Sequence, residues 1–102
     1  MKSSKCDMRG LLSFMILWFL SKKSMHGQEL ADEIEKKRGE RPKAGTLYPA
    51  LKYLKNRGLI KGQRRGNVIV YSLTKSGKNS IKEAIDYFCR SFGEIIKNYN
   101  KK

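Results

Sequence analysis

The sequence predicts a mostly α fold with a β-hairpin, in the order helix, helix, helix, hairpin, helix. Three observations carry this. Apolar residues recur at helical spacing in four separate stretches. The segment Leu59–Leu73 reads instead as two β-prone runs around Arg64-Arg65-Gly66-Asn67. The length, 102 residues with 39% hydrophobic and 31% charged, suits one small domain rather than a disordered tail, a membrane bundle or a multidomain enzyme.

The first helix is expected at about Asp7–Ser21. Its apolar stretch, Leu11 to Leu20, reads LLSFMILWFL and follows Lys2, Lys5 and Arg9, as the apolar region of a signal peptide would. Ten residues do not span a bilayer, which takes about 20. The sequel Ser21-Lys22-Lys23-Ser24-Met25-His26 offers no small-x-small cleavage site, and Asp7 opposes export. The stretch is therefore expected to be a helix buried on most sides of a cytoplasmic protein with no membrane association. Trp18 and Met15 fall in its core.

The second helix is expected at about Gln28–Arg38, with Leu30, Ala31 and Ile34 inward and the i,i+4 pairs Asp32–Lys36 and Glu33–Lys37 in support. Gly39 stops it, and Pro42 forbids immediate continuation. The third helix is expected at about Gly45–Arg57, with Thr46 as N-cap and Pro49 in the first turn. Leu47, Leu51 and Leu54 make one buried stripe. Tyr48, Lys52 and Lys55 repeat that spacing one residue later as an aromatic and basic stripe. Gly58 ends the helix.

Leu59–Gln63 and Val68–Leu73 are the two strands, joined by a basic tip at Arg64-Arg65-Gly66-Asn67 and flanked by Lys61 and Lys75. Thr74 caps a last helix at about Lys75–Tyr99, beyond which Asn100-Lys101-Lys102 frays. Ile81, Ile85, Phe88, Phe92, Ile95 and Tyr99 are spaced as an a/d heptad seam. A helix of about 25 residues runs ~37 Å, longer than so small a domain covers alone. The seam is therefore expected to pair with a second copy, with Leu11, Phe14 and Trp18 of the first helix beside it.

Charge separates the candidate functions. Lys and Arg total 23 against nine Asp and Glu, a net +14. From Arg41 to Asn79 there are ten Lys and Arg and no acid. Such a stretch points to a surface that faces a polyanion. Two distant cysteines, Cys6 and Cys89, give neither a disulfide framework nor a zinc motif. The single histidine, His26, suits a loop or helix cap and leaves no catalytic or metal cluster, so no enzyme activity and no cofactor or metal are expected.

Three helices followed by a two-stranded ribbon is the order of a winged helix-turn-helix with, here, a long C-terminal dimerisation helix. Residues 1–74 would form the DNA-binding domain and 75–102 the dimerisation helix, as one compact unit. The basic stripe of the third helix fits the major groove. On this reading Lys43, Thr46, Tyr48, Lys52 and Lys55, with Lys61, Arg64, Arg65 and Asn67 of the ribbon, face double-stranded DNA. Gln28 is placed to bond a phosphate or an adenine. A non-specific architectural or single-strand-binding protein would share the basic patch but not a defined palindromic site.

Met25-His26-Gly27-Gln28-Glu29-Leu30, Gly45-Thr46-Leu47-Tyr48-Pro49-Ala50-Leu51-Lys52-Tyr53-Leu54, Arg57-Gly58-Leu59-Ile60 and Tyr71-Ser72-Leu73-Thr74 resemble the PadR-family transcriptional regulators. The resemblance covers about Arg9–Lys78, and the length resembles the short subfamily with a single C-terminal helix. It implies a homodimeric winged-helix repressor on a palindromic operator. It also implies that Tyr48 and its neighbours, Pro49 included, touch DNA and that the hairpin is the wing. Some short relatives bind flat aromatic ligands between their subunits, which implies Trp18, Phe88 and Phe92 as the residues that would meet such an effector.

Overall fold

The computed structural model describes residues 8–100, with side chains from 10 to 99. Cys6, Asp7, Lys101 and Lys102 therefore lie outside the described residues. Four helices and three strands follow in the order α1 (Met8–Leu20), β1 (Met25–His26), α2 (Gly27–Arg38), α3 (Ala44–Asn56), β2 (Ile60–Arg65), β3 (Val68–Leu73) and α4 (Lys75–Asn100). None of these helices is long and apolar enough to cross a membrane.

The helical periodicity lands where it was expected. Leu12, Ile16, Leu17, Phe19 and Leu20 of α1 are buried, and so are Leu30, Ala31 and Ile34 of α2 and Leu47, Ala50, Leu51 and Leu54 of α3. Ile60, Leu73 and Met25 close the core from the sheet side. Burying a Leu or Ile side chain is worth roughly 1.5–3 kcal/mol, so these three stripes dominate what holds α1, α2 and α3 together.

Strand β1 is an addition to the expected hairpin. It pairs antiparallel with β3, Met25 opposite Tyr71 and His26 opposite Val70, and makes a three-stranded sheet in the order β1-β3-β2. His26 ends that strand and caps α2: the Glu29 N–H donates to His26 Nδ1 at 3.4 Å, and the His26 N–H donates to Glu29 Oε1 at 3.0 Å. This reciprocal box satisfies two otherwise unpaired donors. One residue thus ties the start of α2 to the wing.

The start of α3 differs from expectation. Its N-cap is Lys43, whose carbonyl accepts from the Thr46 and Leu47 N–H groups at 2.9 and 2.8 Å. Thr46 is inside the helix, its hydroxyl taking no part in a cap. Pro49 falls accordingly in the second turn rather than the first. Its missing N–H leaves the Gly45 carbonyl without a helical donor, at a helix end where water can serve instead.

Strand β2 runs on to Arg65, so the hairpin closes on Gly66 and Asn67 alone. Gly66 has φ +63° and Asn67 does not share the left-handed region. Gly at the first of two turn positions is the pattern of a type II′ turn, whose twist matches the ribbon. The arginines expected at the tip are therefore ladder residues with a fixed facing.

Thr74 caps α4 as expected. Its hydroxyl donates to the Gly58 carbonyl at 2.7 Å and accepts from the Gly77 N–H at 3.0 Å, while its own N–H donates to the Leu59 carbonyl at 3.1 Å. The helix is thereby bolted to the turn that ends α3. Ile81 is a correction to the expected seam: at 3% exposure it is part of this protomer's core and presents nothing to a second copy. The first turns of α4 lie on α1, where Ile85 and Phe14 are half-buried and the Phe14 and Phe88 rings stack at 6.0 Å. Farther along, Phe92, Ile95, Ile96 and Tyr99 are exposed, Ile95 at 62% and Tyr99 at 76%.

Candidate nucleic-acid interface

The apolar stripe of α3 fixes the direction of its other side chains. Because Leu47, Leu51 and Leu54 are buried, Tyr48, Lys52 and Lys55 project from the domain, and all three are exposed. Lys43 at the N-cap and Thr46 and Pro49 in the first two turns are exposed as well. These six residues form one continuous surface along the helix. None of the three lysines has a carboxylate partner among the described residues.

Arg41 does not belong to that free positive charge. Its Nη1 lies 2.5 Å from Asp32 Oδ1 and 3.2 Å from Glu35 Oε1, and its Nη2 donates to Gln28 Oε1 at 2.7 Å. Hydrogen bonds to Asp32 first and Glu35 second hold its pKa above the ordinary value, so it stays charged and paired. Gln28 keeps its amide nitrogen for another partner, while its oxygen is committed to Arg41. The other nine basic residues between Arg41 and Asn79 have no carboxylate partner among the described residues.

A groove of about 290 Å³ separates the N-terminal ends of α2 and α3 from the wing. His26, Gly27 and Gln28 form one side, and Asn67, Val68, Ile69 and Tyr71 the other, with Tyr48 at the α3 end. The Tyr48 ring lies directly over Gly27: a Cβ there would fall 2.8 Å from Tyr48 Cζ. Only a residue without a side chain lets the ring adopt this position. Burial, and then the neighbouring Tyr48, raises the Tyr71 pKa above the ordinary tyrosine value. The Tyr71 phenol is therefore a neutral hydrogen-bonding group at physiological pH.

On the wing, Lys61, Arg64, Arg65 and Asn67 are all exposed. Val68 and Ile69 are exposed too, at 39% and 40%. Their apolar character was legible in the sequence, but it read as strand propensity rather than as surface. Tyr71 was read in the same way. The clue to the groove is Gly62, opposite Tyr71, where a Cβ would fall 2.8 Å from Ile69 Cγ2.

Arginine and lysine with polar and aromatic neighbours on a protruding helix and ribbon can bond phosphates and base edges. Comparison with known proteins agrees. No curated protein matches the sequence. The structure is similar to that of a transcriptional regulator from Clostridium thermocellum, with a TM-score of 0.77 and 25% identity over 88% of this chain and 94% of the other. A PadR family transcription regulator from Clostridium difficile aligns with a TM-score of 0.72 and 26% identity over 86% of this chain and 96% of the other. A PadR-like transcription factor from Bacteroides fragilis shares the fold, at 24% identity and a TM-score of 0.73, over 92% of this chain and 91% of the other. A family model described as the transcriptional regulator PadR-like family matches residues 16–83. With two-thirds of its length matched by that model and its winged helix shared with these regulators, the chain belongs to the PadR-like family of transcriptional regulators.

Proposed function

We propose that the protein is a dimeric, sequence-specific repressor that binds a palindromic operator in double-stranded DNA. One observation carries the reading: the basic side chains between Lys43 and Arg65, none of them with a carboxylate partner among the described residues, fall on α3, its two ends and the wing, in a stretch free of any acidic residue. In this reading α3 enters the major groove and the wing follows the flanking backbone or minor groove. Lys43, Lys52 and Lys55 supply phosphate contacts, while Thr46, Tyr48 and Pro49 lie against base edges and sugars. Gln28 and Asn67 add polar contacts from either side of the groove.

The exposed second half of α4 supports the dimer. Phe88, Phe92, Ile95 and Tyr99 keep the heptad spacing and are exposed, and Leu11 of α1, the helix on which Phe88 stacks, is exposed as well. A second copy related by a two-fold axis covers such a face and sets two α3 helices in successive major grooves, about 34 Å apart. The dimer also offers a place for a flat aromatic effector against Phe88, Phe92 and Trp18. The Phe88 and Phe92 rings already lie 5.1 Å apart, and Trp18 carries Lys22 over its face at 4.4 Å.

The test is to select duplexes from a random library with the purified protein and titrate the winner against a scrambled duplex at several salt concentrations. The reading expects preference for the selected duplex. It also expects a log–log salt slope near −7, if each protomer neutralises about four phosphates. Equal affinity for both duplexes would replace it with an architectural role, and preference for the separated strands with a single-strand-binding one.

A further inference from the structure

Arg64 and Arg65 are adjacent in sequence and both exposed, yet they do not occupy equivalent places. Both sit in the β2–β3 ladder, Arg64 opposite Ile69 and Arg65 opposite Val68. Successive strand residues point to opposite faces of a sheet. Following the register inward, Arg64 shares its face with Ile69, Gly62, Tyr71, Ile60 and Leu73. Ile60 and Leu73 are buried against the helices, so this is the face turned toward the domain. Near the tip two residues of this face, Ile69 and Tyr71, line the groove with Tyr48, joined by Val68 alone from the other face. Arg65 shares the other face with Val68, Gln63, Val70, Lys61 and Ser72. Its Nη2 donates to Gln63 Oε1 at 3.3 Å along that outer face.

We infer that Arg64 is the wing arginine that contacts DNA and that Arg65 is not. The assignment rests on the proposed DNA-binding function. The Tyr48 end of α3 and the Arg64 face of the ribbon flank one groove, so a duplex that seats on α3 meets Arg64 across it. No carboxylate among the described residues pairs with Arg64. Gly62 keeps that face low: a side chain there would collide with Ile69. The Arg64 guanidinium therefore has an open approach to a phosphate or to the wall of a minor groove. Arg65, turned away and bonded to Gln63, supplies long-range attraction only.

The experiment measures the affinity of R64A, R65A and R64K for the duplex selected by the wild-type protein, across a range of salt. Loss of one charged hydrogen bond predicts that R64A binds roughly tenfold more weakly for each protomer engaged. Its salt slope should be shallower by about 0.9 per protomer. R64K keeps the slope while losing part of the affinity, because the charge remains and the planar fork does not. R65A stays within about twofold of wild type, as expected of a screened surface charge. Thermal unfolding of each variant checks that the fold is intact. Equal losses in R64A and R65A, a larger loss in R65A, or no loss in either overturns the assignment while leaving DNA binding in place. A wild-type protein that selects no duplex overturns the proposed function and the assignment together.

Discussion

Replacing Gly77 by Ala tests how α4 is joined to the rest of the winged helix. In an isolated helix the change stabilises by about 1 kcal/mol. Here the added Cβ would meet the backbone of the Leu59 carbonyl group, at 3.0 Å from its carbon and closer to its oxygen, and Leu73 Cδ2 at 3.2 Å. A backbone carbonyl cannot rotate away as a side chain can. The start of α4 must move instead, and with it the Thr74 hydroxyl bond to Gly58 and the Thr74 N–H bond to Leu59. Overpacking of this kind costs roughly 1–3 kcal/mol, and weakening two hydrogen bonds adds about 1 kcal/mol each. After subtracting the propensity gain, the net loss is about 2–4 kcal/mol. For a domain of this size each kcal/mol lowers the melting temperature by about 4–8 °C. Thermal unfolding followed by circular dichroism should show Gly77→Ala melting at least ~8 °C below wild type. Gly45→Ala serves as the control, since a Cβ there meets nothing within 4 Å. It should melt at or slightly above wild type. If Gly77→Ala is as stable as Gly45→Ala, the junction between α3 and α4 is not the tight one described.

Gly27→Ala acts on a side chain rather than on backbone. The Tyr48 ring must leave its place over α2, but it is 42% exposed and free to rotate. The melting temperature should therefore change little while affinity for the selected duplex falls; an unchanged affinity would remove Tyr48 from the interface. Phe88→Glu combined with Ile95→Lys should turn a dimer into a monomer by light scattering, with the circular dichroism of the helices retained, because neither residue is in the buried core. Tyr71→Phe addresses pH. Burial raises the folded-state pKa of Tyr71 above its unfolded value of about 10, so the neutral phenol is favoured by folding. That contribution is complete below the unfolded value and is lost as pH rises through the folded value. Melting temperatures measured from pH 8 upward should fall more steeply for wild type than for Tyr71→Phe above about pH 10; parallel curves would contradict the burial of this phenol.

The buried stripes of α2 and α3 were legible because a period of 3.6 needs no tertiary information: Leu47, Leu51 and Leu54 are buried wherever the helix docks. The capping role of Thr74 was legible for a similar local reason. Thr46 misled because a threonine near a helix start is a generic signal, and here the backbone carbonyl of Lys43 opens the helix instead. Strand β1 escaped because two residues, Met25 and His26, show no alternation. The neutralisation of Arg41 escaped because its partners Asp32 and Glu35 stand on the preceding helix and meet it only after the chain turns back. Ile81 fits a heptad and a core equally well. Only the docking of α4 on α1 separates the two. At the wing, the boundary of β2 decides the facing of Arg64 and Arg65. A strand that stopped at Gln63 would leave both in a loop; pairing continued to Arg65 sends them to opposite faces.

Hydroxyl-radical footprinting of the protein on its selected duplex tests the central claim most directly. The account predicts two protected half-sites related by a two-fold axis, centred about one helical turn apart. Protection spread evenly along the duplex, indifferent to its sequence, would contradict it.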